Sequence, residues 1–438
     1  MKSFLKKFAP PGLVLLYHKV FAWFGAFIYR FPAKKMIIIG ITGTKGKTSA
    51  ANYIFSCLKA GGYKVGLTST AGFKIGDKEF LNNYHMTMPG RFVIQKLLRK
   101  MLNAGCKFCI VETTSEGLKQ WRHTGIYYDI AIFTNLTPEH LPSHGGKFEE
   151  YKKAKGKMFA SLFNGGHKQV DGKKIEKVII ANSDSEHSDY FLSFPADKKI
   201  TFGLKNLKAD FLAGDVKAEG WGINFAVKGE RFELAFPGVF NIYNALPGII
   251  VSSIFSIPAD SVKKGLKSLS FIPGRMEKIE EGQNFTLVVD YAHEKQSMGH
   301  LLNTAKQVSR GKVIVLLGAE GGGRDKNKRP EMGELAGRIA DYVVVSNVDP
   351  YEDDPKEIIE DIAKSAEKFG KVRGTNLFTI EDRRQGIKKA LSLAEHGDIV
   401  LITGKGAEQS MILKGRTIPW DDRKVVREEI KKFLEIRN

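Results

Sequence analysis

The residues Gly43-Thr44-Lys45-Gly46-Lys47-Thr48-Ser49 stand where an apolar run, KKMIIIGIT, gives way to a helix-forming stretch, SAANYIFSCLKA. Backbone N–H groups in such a turn, with the positive end of the following helix, can cradle phosphate oxygens. The Lys47 ammonium would reach the terminal phosphates and the Thr48 hydroxyl would ligate Mg²⁺. The segment is not the full GxxxxGK[ST] loop, because Ile41 occupies the place of its first glycine. The shorter GTxGKT form is more restrictive, and its strand–loop–helix setting fits. Three further residues could serve such a site. Glu112 ends the apolar run KFCIVE, His140 lies in TPEHLPSHGG and Lys155 in YKKAKGKMF. Taken singly they read as a surface carboxylate, a loop histidine and a solvated helix lysine.

The elements that must position these groups alternate as strand and helix. After KKMIIIGIT come YKVGLTST, KFCIVETT, YDIAIFTNL and KVIIANSD, each apolar, β-branched and bounded by polar turns. Near-continuous apolar runs of this kind predict strands covered on both faces, hence a mostly parallel sheet. Residues 209–237 alternate apolar and polar with glycine turns, which predicts antiparallel hairpins. The strand–helix pattern restarts near Pro273-Gly274 with TLVVDYA, KVIVLLGA, YVVVSNV and DIVLITG. The expected organisation is α/β throughout: a basic N-terminal helix over 1–35, an ATP-binding domain with a small antiparallel insertion over 36–272, and a Rossmann-like domain over 273–438.

Composition narrows the partners. Lys and Arg number 68 against 48 Asp and Glu, a net charge of +20, and no acidic residue precedes Asp77. A basic N-terminal face suits nucleic acid, anionic lipid or a polyphosphate substrate. The basic runs lack interleaved aromatics, so nucleic acid is not expected. Three cysteines make no disulfide framework, and Cys106 and Cys109 form a lone CxxC inside an apolar strand, where a core role is expected.

A run of ordered motifs carries a family resemblance. GTKGKTS is similar to the ATP loop of the Mur ligases, the ATP-dependent amide-forming enzymes of cell-wall peptide assembly; folylpolyglutamate synthetases carry a similar loop. VETTSEGLKQWR (111–122) resembles the EVSSHGL…R of the MurE type, the UDP-N-acetylmuramoyl-tripeptide synthetases, and FTNLTPEHLPSHG (133–145) resembles its FTNLxxDHLDYHG. YKKAKGKMF (151–159), PGVFNIYNAL (237–246), PGRME (273–277), VVDYAH (288–293), GGGRDKNKRPEMG (321–333) and GKGAE (404–408) follow in the family's order.

The resemblance implies amide formation through an acyl phosphate made from ATP, with diamino acids such as lysine, ornithine or diaminopimelate as donors and a UDP-N-acetylmuramoyl-L-Ala-D-Glu-like acceptor. It implies Mg²⁺ on Thr48 and Glu112, a second Mg²⁺ on His140, and a carbamylated Lys155 that serves the metal site as an anion. Lys47 and Arg122 join the catalytic set. Asn241, Asn244, Arg275, Asp290, Tyr291 and His293 fall around the nucleotide and the hinge. Thr87, Ser115 and Arg122 fall on the acceptor side, and Arg329, Gly404 and Glu408 on the donor side. A monomer in the cytoplasm is expected, with a mobile second domain that closes on the substrates and excludes water.

Departures from the family qualify this picture. Val348-Asp349-Pro350-Tyr351 replaces a DNPR whose arginine pairs with the distal carboxylate of diaminopimelate. Without that arginine a second carboxylate loses a bidentate partner, while Asp349 could receive an ammonium, which favours lysine or ornithine. Ala407 replaces the histidine of GKGHE, and Met88 replaces a threonine beside Thr87. Only about 36 residues precede the strand that leads into the loop, too few for the family's uridine-binding domain of about 90. In their place Leu13, Leu16, Tyr17, Val20, Phe24, Phe27 and Ile28 fall at helical spacing, flanked by Lys2, Lys6, Lys7, Arg30, Lys34 and Lys35. Either this helix packs on the protein's own core, or it rests peripherally on the anionic inner face of the membrane. The alternatives to a MurE-type ligase are a folylpolyglutamate-type or lipid-linked-precursor tailoring ligase, and a membrane-attached nucleotide-binding module without catalysis.

Overall fold

The computed structural model describes residues 11–437 apart from His85 and His140, and within that span not the side chains of 11–15, 141–142 and 437. The roles expected of Lys2, Lys6, Lys7, the Leu13 side chain and His140 lie outside the described residues. Chain contacts divide into two compact units. One comprises residues through Lys217, with Asn224–Leu234 and Val239–Leu269; the other comprises Ala218–Ile223, Ala235–Gly238 and Ser270 onward.

Every residue of β1 (Ile37–Thr42) is buried, because its isoleucines face helices on both sides of a sheet. Around it lie β2 (Val65–Thr68), β3 (Gly72–Ile75), β4 (Lys78–Leu81), β5 (Phe108–Glu112) and β6 (Ile130–Phe133). A two-residue hairpin, β7 (Gln169–Val170) and β8 (Lys173–Lys174), precedes β9 (Val178–Asn182), β10 (Lys198–Gly203), β11 (Phe211–Glu219), β12 (Gly222–Val227) and β13 (Glu230–Leu234). The sheet order is β13-β12-β11-β10-β9-β6-β1-β5-β2-β3-β4. The strands from β2 to β11 across this order are parallel, as the continuous apolar runs predict. The β11, β12 and β13 strands follow one another at the edge through two-residue turns, a connection only antiparallel hairpins make. The β1–β5–β6 centre brings three strand ends, and the loops after them, to one edge of the sheet.

The second unit repeats the logic with β14 (Glu277–Ile279), β15 (Thr286–Asp290), β16 (Val313–Leu317), β17 (Tyr342–Val345), β18 (Leu377–Thr379) and β19 (Ile399–Thr403), in the order β14-β15-β19-β16-β17-β18. All but β14 are parallel. Asp290, Thr403, Leu317 and Val345 therefore end their strands at one edge, where open α/β sheets gather ligand groups.

The helix Pro11–Ile28 packs against the helix Arg91–Asn103, but not through the face its large residues mark. His18, Ala22, Gly25 and Ala26 are buried, whereas Leu16, Tyr17, Val20, Phe21, Trp23, Phe24, Phe27 and Ile28 are exposed. Of the two readings, the helix does pack on the protein, but through its small residues and not through its large apolar face. Small residues let two helix backbones approach: a Cβ on Gly25 would lie 3.4 Å from the Arg91 carbonyl oxygen. Arg99 secures the helix end by donating to the carbonyls of Tyr29 and Arg30.

Candidate active site

The loop after β1 is built around two glycines that no other residue can replace cheaply. Gly43 has φ +154°, and a Cβ there would fall 2.0 Å from the Thr134 hydroxyl; Gly46 has φ +81°, and its Cβ would fall 2.2 Å from Asn244 Oδ1. Only glycine combines such backbone with such contact. Residues after β6 clamp the loop from outside. Asn135 accepts from Lys45 N (2.9 Å) and donates to the Lys45 carbonyl (3.1 Å), to which Thr134 Oγ1 also donates (2.7 Å). Thr44 Oγ1 meets Tyr151 Oη at 3.1 Å, and Lys45 pairs with Glu139 at 2.9 Å. Lys47 opens the helix Lys47–Ala60 and folds back over the loop, donating to the carbonyls of Gly43 (3.0 Å) and Thr44 (2.9 Å). A helix start, whose first-turn N–H groups have no intrahelical acceptor, thus adjoins an ammonium held at the loop's centre.

Glu112, at the end of β5, is buried rather than at the surface, 2% exposed. Its Oε2 accepts from Thr48 Oγ1 (2.9 Å) and Thr70 N (2.8 Å), and its Oε1 from Thr70 Oγ1 (3.1 Å). Thr70 Oγ1 also meets Thr87 Oγ1 at 2.8 Å, which ties the acceptor-side threonine to this carboxylate. Sequence reasoning missed Thr70, although the hydroxyl run Thr68-Ser69-Thr70 at the end of β2 marks a strand edge rich in donors. One carboxylate and one hydroxyl beside a phosphate cradle suit Mg²⁺, which keeps several waters and few protein ligands. No cluster of three His, Cys, Asp or Glu that could hold a metal is found among the described residues.

Lys155 is not a solvated helix lysine. It is 2% exposed, donates to the Gly43 carbonyl at 2.8 Å and lies 4.5 Å from the Tyr151 ring centroid. Burial, then the nearby Lys47 cation, holds its ammonium well below the usual lysine range. A neutral buried amine is the form that can add carbon dioxide. His144 Nε2 meets Ser115 Oγ at 3.1 Å at the start of the short helix Ser115–Lys119, and burial followed by Lys119 lowers its pKa. Arg122 donates to the Met88 carbonyl (2.5 Å) and Gln120 Oε1 (2.7 Å), and burial lowers its pKa. Asn241 and Asn244 are buried on the helix Phe240–Ile254, 3.3 Å apart, with Asn244 against Gly46. Ser49 is half-buried in the first turn.

In the second unit, the Arg275 guanidinium covers the Tyr291 ring at 4.2 Å, Asp290 accepts from Met276 N and Ala292 N (2.7 Å each), and His293 Nδ1 lies 2.7 Å from the Tyr291 carbonyl. Lys405, just past Gly404, binds Glu408 (2.6 Å) and Asp349 (2.7 Å), and Tyr291 Oη donates to Glu408 (3.1 Å). Burial pushes the Glu408 carboxyl up against the pull of Lys405.

Two donor-side expectations change here. Asp349 is not open to an incoming ammonium: it is buried, with Lys405 on one oxygen and Ile412 N on the other at 2.7 Å. Arg329 is buried and spent on Asp361 (3.0 Å) and Asp353 (3.3 Å), where it fastens the helix Lys328–Ile339 to the helix Pro355–Lys368. The exposed cations of that loop are Arg324 and Lys326; the Arg324 side chain is 47% exposed, 3.5 Å from Glu320 and hydrogen-bonded to Tyr351. Tyr351 itself holds a left-handed φ of +55°, unusual for a bulky residue. Burial would raise the Glu320 carboxyl, but Lys328, His293, Arg324 and Lys405 bring it down to about 2.

Comparison with known proteins agrees with this geometry. The family model for the Mur ligase middle domain matches residues 41–252, and that for the Mur ligase, glutamate ligase domain matches residues 274–406. The chain is 37% identical over 407 residues to the UDP-N-acetylmuramyl-tripeptide synthetase of Roseiflexus sp., covering 91% of this chain and 79% of the relative. It is 36% identical over 410 residues to the UDP-N-acetylmuramoyl-L-alanyl-D-glutamate--2,6-diaminopimelate ligase of Geobacillus thermodenitrificans, covering 92% and 80%. A solved structure of a ligase with that same name superposes with a TM-score of 0.61 at 28% identity over 91% of this chain and 79% of the other. Folylpolyglutamate synthase of Mycobacterium tuberculosis shares the fold, with a TM-score of 0.69 at 17% identity over 93% of both chains.

Proposed function

This chain belongs to the Mur ligase family, and on that premise we propose that it is an ATP-dependent ligase of the MurE type, joining a diamino acid to a UDP-N-acetylmuramoyl-L-alanyl-D-glutamate acceptor. The observation that carries the reading is the Thr48–Glu112–Thr70 set, with Thr48 and Glu112 buried, directly beside a glycine-built phosphate loop. The reaction brings an anionic carboxylate against an anionic γ-phosphate to give an acyl phosphate, which the donor amine then attacks. Thr48 and Glu112 would hold Mg²⁺, whose charge offsets that of the phosphates as the two anions meet. Lys47 places its ammonium on the same phosphates, and the loop glycines let the backbone come close to them. Thr70 fixes the Glu112 carboxylate in one orientation. Arg122, Thr87 and Ser115 face the acceptor. The cytoplasm, where ATP and nucleotide-linked precursors are found, is the compartment we assign.

Lys155 is proposed to act as its carbamate, an anion beside the phosphate loop. Labelling with ¹³C-bicarbonate should give a carbamate carbon resonance that is missing in Lys155→Arg; its absence from the parent protein would remove this role.

On the donor side, we assign Arg324 rather than Arg329 to a carboxylate of the incoming amino acid, with Glu408 near its amine. Asp349 is occupied by Lys405, and relatives are named as 2,6-diaminopimelate ligases, so 2,6-diaminopimelate is the proposed donor. The test is phosphate release with each acceptor and donor present or omitted, using diaminopimelate, lysine and ornithine in turn. Turnover should need both substrates, prefer diaminopimelate and vanish in Lys47→Ala. ATP turnover without any acceptor dependence would overturn the ligase reading, and a lysine preference would overturn the donor.

A further inference from the structure

The structure assigns the exposed face of the helix Pro11–Ile28 as a docking surface for an anionic lipid bilayer. A helix seated on a protein ordinarily turns its large apolar residues inward. This one turns Ala22, Gly25 and Ala26 inward and leaves Leu16, Val20, Trp23, Phe24, Phe27 and Ile28 between 46% and 56% exposed. The seat is nonetheless specific. A Cβ on Gly125 would fall 2.5 Å from the Ala26 Cβ, Phe24 meets Phe92 edge-on at 6.4 Å, and Arg91 covers the Tyr17 ring at 5.6 Å. The apolar face is therefore held outward by close packing behind it.

Charge decides the occupant. Residues 11–35 contain Lys19, Arg30, Lys34 and Lys35, and the supporting helix contains Arg91, Lys96, Arg99 and Lys100; neither segment contains an acid, and Lys2, Lys6 and Lys7 precede them in the sequence. A second copy of this chain would bring the same cations face to face, whereas anionic headgroups would neutralise them. The helix is 18 residues, about 27 Å long, with His18 and Lys19 inside it, and no helix among the described residues is long and apolar enough to cross a membrane. Aromatic-rich apolar faces bordered by lysine lie in the plane of the interface, with indole and phenyl rings at headgroup depth. Trp23, stacked on Phe27 at 5.5 Å, is placed to report that depth.

The experiment uses the full chain with vesicles of phosphatidylglycerol and phosphatidylcholine, against vesicles of phosphatidylcholine alone. The parent should co-sediment with the anionic vesicles at least tenfold more than with neutral ones, lose that binding at high salt, and show a blue-shifted emission that Trp23→Phe abolishes. The combined variant Val20→Ser, Trp23→Ser and Phe27→Ser, altered only at exposed positions, should bind at least tenfold less while its circular dichroism is unchanged. Equal sedimentation of parent and variant overturns the proposal. So does a concentration-dependent dimer that the variant abolishes without any vesicle binding by the parent. Acceptor-dependent ATP turnover in lipid-free solution should be the same for both proteins, so failure of docking and failure of the ligase reading are read separately.

Discussion

Thr70 shows how one residue can fix the geometry of a carboxylate on which the proposed mechanism relies. It supplies two of the three hydrogen bonds held by Glu112. Thr70→Val removes the hydroxyl donor and keeps the backbone one, so the carboxylate gains freedom without losing its place. A lost hydrogen bond to a charged group is worth about 1.5–3 kcal/mol, so kcat/KM for ATP should fall about tenfold or more. The Mg²⁺ concentration for half activity should rise with it, and Thr70→Ser should restore both. An unchanged Mg²⁺ requirement would reduce Thr70 to a structural residue. His123 should contribute to acid sensitivity instead. Burial, then Lys157, lowers its pKa from 6.5 to about 4. The unfolded chain binds a proton there that the folded one refuses, so stability is complete above pH 6.5 and falls by about 3 kcal/mol as the pH drops toward 4. Urea unfolding of His123→Gln at pH 4.5 and 7.5 should show a smaller difference than the parent, and an equal difference would place acid sensitivity elsewhere.

At the scale of elements, the strands were legible because burial on both faces leaves a plain mark: IIIGIT, FCIVE and IVLIT admit no polar residue before their ends. The phosphate loop was legible because glycine and lysine at fixed spacing have few other uses. What the loop faces was not legible, since Asn244 reaches Gly46 from almost 200 residues away. Lys155 read as solvated because its own helix is lysine-rich, and only packing reveals it buried. Arg324 and Arg329 look alike in GGGRDKNKRP, and they separate once Asp353 and Asp361 claim the second. The seat of the N-terminal helix stays open between two readings in the sequence because periodicity weighs large side chains, while close backbone approach is decided by small ones. Two substitutions test these contacts. Gly46→Ala should cost about 1–3 kcal/mol in strain and abolish ATP turnover, and the added Asn244→Ala should recover stability only in part because φ stays positive. Ala26→Leu should destabilise by about 1–3 kcal/mol through overpacking against Gly125, whereas Phe27→Ser on the open face should stay within about 0.5 kcal/mol. Denaturation curves that rank these two the other way would mean the helix is seated by its large residues.

At the scale of the whole molecule, the charge of +20 bears on substrates more than on fold. ATP and a nucleotide-linked muramoyl peptide are polyanions, whereas 2,6-diaminopimelate, the proposed donor, balances two carboxylates against two ammonium groups and is neutral overall. A strongly positive chain raises the encounter rate of the first two and leaves the third almost untouched. Salt shortens the reach of that field, from a Debye length of about 10 Å at 0.1 M to about 3 Å at 1 M. Between about 0.05 M and 0.5 M salt, kcat/KM should therefore fall several-fold for ATP and for the acceptor, with little change in kcat at saturation. The KM for the donor should stay nearly constant, because a net-neutral molecule gains little from a long-range field. The three substrates control for one another within a single protein. A parallel loss for all three would mean that salt acts on the fold or on the chemical step, and the long-range field would then have no part in substrate capture.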